Sequence, residues 1–259
     1  MTSPLVLYSV ADRIATISLN RPEKRNAFNP ELVSSLTAAL LQASDDEEVK
    51  VIILKAEGNT FSAGADLAYL QQLQQNTHED NVKDSENLKT LFTTIYYLPK
   101  VVIAQVEGHA IAGGCGLATV CDIIFAIPEA SFGYTEVKLG FVPAIVSSFL
   151  LRKTGETIAK KILLTGDLFS AEQALAYNLI TYVTNKAEIS QTVQDFALKL
   201  CNEASGNSLM VTKQLIGQTT NPALDNSLNL AVQINARVRE SEDFRKGVAA
   251  FISKEKIKW

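Results

Sequence analysis

The sequence predicts an α/β fold with a helical C-terminal region, on three observations. VKVIILKA and KVVIAQV are continuous apolar runs of strand length, the pattern of strands covered on both faces. Strand-like and helix-like segments alternate up to about residue 142. From about residue 185 onward only helical periodicity remains. With 259 residues, 47% of them hydrophobic and 20% charged, the chain can bury one large core.

Each element has its own signal. LVLYSV and IATISL read as a hairpin turning at Ala11-Asp12-Arg13. Asn29 followed by Pro30 marks a helix start, because Asn caps and Pro tolerates the first turn. That helix runs to the acidic turn DDEE, and VKVIILKA follows as a strand. EGNTFSAGADL is a glycine-containing loop leading into a helix, and residues 71–87 have the most loop-like composition of the chain. A helix over about 85–98 ends before Pro99, then KVVIAQV forms a second buried strand. In EGHAIAGGCGLATVCD, glycines crowd the entrance of a short helix expected over Leu117–Cys121. DIIFAI is a further strand. Ser170 caps AEQALAYN, Asn178 ends it, and LITYVT is a last short strand.

Composition excludes several partners. The formal net charge is −4 and no basic strip is present, which disfavours nucleic acid. No apolar run approaches the ~20 residues that span a bilayer, and the N-terminus lacks signal-peptide character. Cys115, Cys121 and Cys201 have no metal-ligand spacing and read as buried thiols of a cytoplasmic protein. With two histidines, a metal site is not expected; His109 is expected to be packed and hydrogen-bonded, His78 exposed.

The loops TFSAGADL and AIAGGCGL are alike: each follows a buried strand and places small residues before a helix. Small residues let a ligand approach unpaired backbone N–H groups. Two such groups aimed at one point would form an oxyanion hole. Either loop alone reads first as a tight strand-to-helix turn; it is the two together that favour the oxyanion hole.

ATISLNRPEKRNAFN, FSAGADL, AGGCGLATVCDIIFA, ASFGYTEVKLGFVP and FISKEK resemble, in order, the motifs of the enoyl-CoA hydratase/isomerase (crotonase) superfamily. The resemblance runs nearly end to end. It implies a spiral of ββα turns over residues 1–200 and a helical region, 201–259, that builds a trimer or a dimer of trimers. It implies an acyl-CoA thioester as substrate and no separate cofactor. The register puts oxyanion donors on the backbone of Ala63 and Gly113 and the acid/base on Glu136, whose carboxyl an apolar site should bias toward its protonated form. Lys24 and Arg25 would meet the CoA phosphates. Ala27, Ala65, Asp66 and Leu67 would lie along the pantetheine and adenine, with Asp66 alternatively a helix cap. Gly114 would belong to the substrate- and CoA-binding set. Phe251 and Lys254 would reach the CoA of a neighbouring subunit.

Two departures from the common pattern bear on the chemistry. Many hydratases carry a first glutamate right after GGC, where this chain has Gly116. One carboxylate serves hydration, Δ3,Δ2-isomerisation or decarboxylation, and a non-catalytic acyl-CoA- or RNA-binding member is a fourth reading. Pro143-Ala144-Ile145-Val146-Ser147-Ser148 replaces the usual Pro-Gly-x-Gly-Gly-Thr and resembles bacterial 3-methylglutaconyl-CoA hydratases, which also have glycine at the Gly116 position. Such a substrate ends in a carboxylate, which Ser147, Ser148, Tyr134 or Arg152 would meet. Cys115 reads as buried filler, since no histidine or aspartate partners it.

Overall fold

The computed structural model describes residues 3–219 and 224–255. Its strands are β1 (Val6–Ala11), β2 (Ile14–Leu19), β3 (Val51–Ala56), β4 (Thr60–Ser62), β5 (Val101–Val106), β6 (His109–Ile111), β7 (Ile123–Ala126), β8 (Ser131–Gly133), β9 (Phe169–Ser170) and β10 (Tyr182–Val183). A six-stranded sheet has the order β1-β2-β3-β5-β7-β10, and a four-stranded one the order β4-β6-β8-β9. Among the described strands, only β1–β2 and β8–β9 are antiparallel. The β1–β2 turn is Asp12-Arg13, both with positive φ (51° and 66°), the backbone of a two-residue hairpin. Each of β3, β5 and β7 sends a short strand, β4, β6 and β8, into the small sheet before the chain turns helical. This is a spiral of ββα turns.

The helices are α1 (Pro30–Asp45), α2 (Leu67–Leu73), α3 (His78–Tyr97), α4 (Gly113–Thr119), α5 (Ala144–Thr165), α6 (Ala171–Ala176), α7 (Ile189–Glu203), α8 (Gly206–Thr219), α9 (Leu224–Val238) and α10 (Glu242–Ser253). The Asn29 side chain caps α1 through the Leu32 N–H, and Ser170 caps α6 through Gln173. Asn178 adopts the left-handed conformation just past α6. Inside α5, Gly155 breaks the helix at φ 72°. Among the described residues, no helix is long and apolar enough to cross a membrane.

The structure corrects the loop expected over 71–87. α2 runs to Leu73, and α3 begins at His78 under a capping box between Thr77 and Asp80. The helix escapes its periodicity because its buried face includes Asn81 and Ser85. Asn235 on α9 donates to the Ser85 hydroxyl at 3.0 Å, so the inward face is polar by design of the α3–α9 seam. The glycine-entered helix likewise starts four residues early, at Gly113. β4, β6 and β8 are three residues each, too short for alternation to register. His109 is exposed on β6, contrary to the packed histidine expected. His78 pairs with Glu240 at 2.6 Å, partly open to solvent.

One core unites the large sheet with α1, α3, α4, α5 and α7. A smaller cluster stands apart: Leu70 and Leu73 of α2 with Phe244 and Val248 of α10, flanked by Tyr69, Phe141 and Ile252. It brings the C-terminal helix over the turn that follows β8. A Cβ on Gly247 would lie 2.1 Å from the Leu139 carbonyl oxygen, so α10 can approach that turn only at a glycine.

Candidate active site

A cavity of about 570 Å³ lies between α1, α2, α3, α10 and the segment from Thr135 to Val146. Leu70, Leu73, Leu88, Leu139, Ile145 and Val146 make much of its wall apolar. Glu136 also lines it. This residue opens a 3-10 turn, Glu136–Leu139, which Gly140 ends in the left-handed conformation. The Glu136 carboxyl is buried, and its Oε2 has no hydrogen-bond partner among the described residues. Burial pushes its pKa from 4.5 up to about 7, against a small opposing pull from its own backbone N–H. An acid in that range is half ionised near neutrality and can take or give a proton.

The same shift makes stability depend on pH. The folded carboxyl holds its proton more tightly than the unfolded one, so its contribution is complete below about pH 4.5 and is lost as pH rises through about 7. The cost of keeping the ionised group buried is about 3 kcal/mol. Glu136→Gln is therefore expected to raise the melting temperature at pH 8 and to leave it unchanged at pH 4.5. Thermal unfolding at the two pH values checks this.

Backbone donors stand on two loops that abut. Gly64 has φ 82°, and a Cβ there would lie 2.9 Å from Ala112 Cβ and 3.5 Å from the Gly113 nitrogen. Only glycine fits both the angle and the space. Gly113 begins α4, after Ala112 at φ 51°, and lines the cavity. Its N–H donates no hydrogen bond among the described residues.

The second donor expected, Ala63, needs correction. Its N–H donates to the Arg25 carbonyl at 3.0 Å and has no proton to offer a ligand. Ala65, two residues on, is different. Phe28 forms a parallel bridge with it, accepting from Asp66 N–H at 2.8 Å and donating to the Gly64 carbonyl at 2.6 Å. A parallel bridge uses the groups on either side of its central residue, so the Ala65 N–H faces away from Phe28. It has no hydrogen-bond partner among the described residues, and Ala65 lines the cavity. Both residues are alanines of one motif; only the bridge to Phe28 tells them apart.

Gly116 explains where the first carboxylate went. A Cβ there would lie 2.2 Å from Val146 Cγ1 and 3.3 Å from Phe92 Cζ. The slot for a side chain is filled by Val146, which comes from the segment that departs from the usual glycine-rich one. Gly116→Ala alone is expected to cost about 1–3 kcal/mol by overpacking. Adding Val146→Ala should recover most of that loss, read by chemical denaturation of the single and double variants.

The enoyl-CoA hydratase/isomerase family model matches residues 10–259. The chain belongs to that family. A Thermus thermophilus protein named provisionally as an enoyl-CoA hydratase is 40% identical over 241 residues, covering 93% of this chain and 95% of its own. The 2,3-dehydroadipyl-CoA hydratase of Escherichia coli is 30% identical over 96% of each chain. The crystal structure of an enoyl-CoA hydratase/isomerase from Xanthobacter autotrophicus Py2 superposes with a TM-score of 0.89 at 28% identity, covering 98% of this chain and 97% of that one.

In this family member the remaining expected residues divide sharply. Arg25 and Phe251 line the cavity and are exposed. Lys24, Leu67 and Lys254 are exposed outside its wall. Ala27 is buried, with its carbonyl accepting from Arg21. Asp66 is the helix cap: it accepts from Ala68 and Tyr69 N–H and pairs with Arg21 at 2.6 Å. Burial would raise its pKa, but the Arg21 and Ala68 hydrogen bonds hold it below the usual carboxylate value. Gly114 serves packing, since a Cβ would lie 2.4 Å from the Ser62 carbonyl oxygen.

Tyr134 is corrected as a ligand contact. It is fully buried away from the cavity, its hydroxyl 2.7 Å from Thr119 Oγ1. Ser147, Ser148 and Arg152 are also absent from the wall. Cys115 is buried, and burial pushes its thiol up to about 12, which suits filler. Sequence reasoning missed Tyr69, Asp84, Asn235 and Arg239, which do line the cavity. They carry no motif: Asp84 on α3, Asn235 on α9 and Arg239 just past it meet where those helices pair, and Tyr69 comes from α2.

Proposed function

We propose that the chain adds water across the double bond of a 2-enoyl-CoA thioester. The thioester oxygen accepts from the Ala65 and Gly113 N–H groups. Ionised Glu136 takes a proton from a water whose oxygen bonds to C3. The π electrons move to the carbonyl oxygen, and the two amides hold the resulting enolate. Protonated Glu136 then returns its proton to C2, which restores the thioester and the ionised carboxylate. CoA enters as part of the substrate, with Arg25 and the neighbouring Lys24 offered to its phosphates. Exposed apolar residues of the C-terminal helices, Val211, Leu230 and Ile234, support assembly as a trimer or a dimer of trimers; sedimentation velocity tests it.

One observation carries this reading: a buried carboxyl shares a cavity with two backbone donors, and among the described residues neither the donors nor the carboxyl's Oε2 have a hydrogen-bond partner. A second reading, Δ3,Δ2-isomerisation, draws on Gly116, because Val146 stands where a second carboxylate would help hold the water. A product-resolved assay with crotonyl-CoA, 3-methylglutaconyl-CoA and a 3-enoyl-CoA, run in deuterium oxide, separates them. A 3-hydroxyacyl product from either 2-enoyl substrate supports hydration. Double-bond migration with label exchange and no hydroxyacyl product rejects it, and released carbon dioxide would mark decarboxylation.

A further inference from the structure

The cavity wall includes a polar cluster that the chemistry above does not use. Arg239 lies just past α9 and is 4% exposed. Its Nη1 donates to Asp84 Oδ2 at 2.6 Å, and Tyr69 donates its hydroxyl hydrogen to Asp84 Oδ1. The Phe141 ring lies against the guanidinium, with its centroid 5.6 Å away. Arg239, Asp84, Tyr69 and Phe141 all line the cavity.

Among the described residues, two side chains of that wall hold a buried polar atom with no partner: Glu136, through Oε2, and Arg239, through Nε. A seam that merely fixed α3 against α9 would account for the pairing to Asp84. It does not account for a charged donor left without an acceptor, which is costly. The first orphan is the reacting acid. The second is the same condition at another point of the same wall.

We propose that the Arg239–Asp84–Tyr69 cluster receives a hydroxyl carried on the acyl chain, away from the thioester. This rests on the reading that the cavity holds the acyl group of a CoA thioester. A hydroxyl matches both halves of the cluster: its oxygen accepts from Arg239 Nε, and its hydrogen is donated to Asp84. The Arg239–Asp84 pair is neutral as a unit, so an uncharged guest leaves the charge of the apolar cavity balanced. A terminal carboxylate would also accept from Nε, but it would bring a second anion beside Asp84 and leave a net negative charge away from water. A plain alkyl end would leave Nε unpartnered.

Calorimetric titration of saturated thioesters tests this without turnover. Plain acyl-, ω-hydroxyacyl- and ω-carboxyacyl-CoA are compared at four, six and eight carbons. The hydroxylated ester is expected to bind about tenfold tighter than both others at one length or more. The double variant Arg239→Met with Asp84→Leu should lose that preference and still bind the plain esters. Replacing both partners leaves no orphaned charge, so the variant is expected to fold. If it does not, the parent's ranking of the three series decides alone. Tightest binding of the carboxylated series overturns the proposal in favour of an anion site, and equal binding of all three reduces the cluster to a structural seam. No binding by any of the esters overturns the acyl-CoA reading and this inference together.

Discussion

Glu136→Gln is expected to lower turnover of a 2-enoyl-CoA thioester by about 100- to 10,000-fold, with little change in KM. Glutamine keeps the size of the side chain and removes the only function assigned to it, proton transfer. Because no group among the described residues bonds Oε2, the substitution breaks no contact with them there. The parent's kcat/KM should rise with pH through a midpoint near 7, where burial places the carboxyl's ionisation, and flatten above it. The direction follows from the need for an ionised base to accept the water proton. The variant's residual rate should lose that inflection. A variant with the full parental rate, or an unchanged pH profile, removes Glu136 from the chemistry. The paired stability measurement guards the result: a gain in melting temperature at pH 8 alongside lost turnover shows a folded enzyme without its base.

Much of the architecture is written in local signals. Asn29-Pro30 and Ser170 announce helix starts because capping acts within four residues, and β3 and β5 are legible because burial on both faces needs unbroken apolar runs. α3 is not legible in that way. Its inward face carries Asn81 and Ser85, and Asn235, which donates to the Ser85 hydroxyl, lies 150 residues beyond it. The site divides along the same line. Glu136 and Gly113 sit in short runs of consecutive residues, FGYTEVKLG and AIAGGCGL, that are visible along the chain. Arg239 enters the cavity only through tertiary pairing with Asp84, 155 residues away, and no spacing rule reaches that far. The choice between Ala63 and Ala65 fails for a subtler reason: both are small residues beside one glycine, and which N–H is free depends on the hydrogen-bond register with Arg25 and Phe28.

That register yields the second large effect. Ala65→Pro deletes one N–H and is expected to lower kcat by about 100- to 1000-fold, the range for loss of a single oxyanion donor. The bridge to Phe28 runs through the Gly64 carbonyl and the Asp66 N–H, so the deletion breaks no hydrogen bond of the fold. Ala63→Pro, two residues earlier, deletes the N–H that donates to Arg25. Its cost should fall on stability, by about 1 kcal/mol or more, with the turnover of the folded fraction largely kept. Ala65→Gly keeps the N–H and should keep the rate, which separates loss of the donor from loss of the methyl group. The opposite pattern, a silent Ala65→Pro beside an inactive but stable Ala63→Pro, would return the oxyanion role to Ala63. It would also require the Arg25 carbonyl to release that N–H when substrate binds. The two prolines thus distinguish a backbone proton used by the substrate from one used by the fold, at positions that look interchangeable in the sequence.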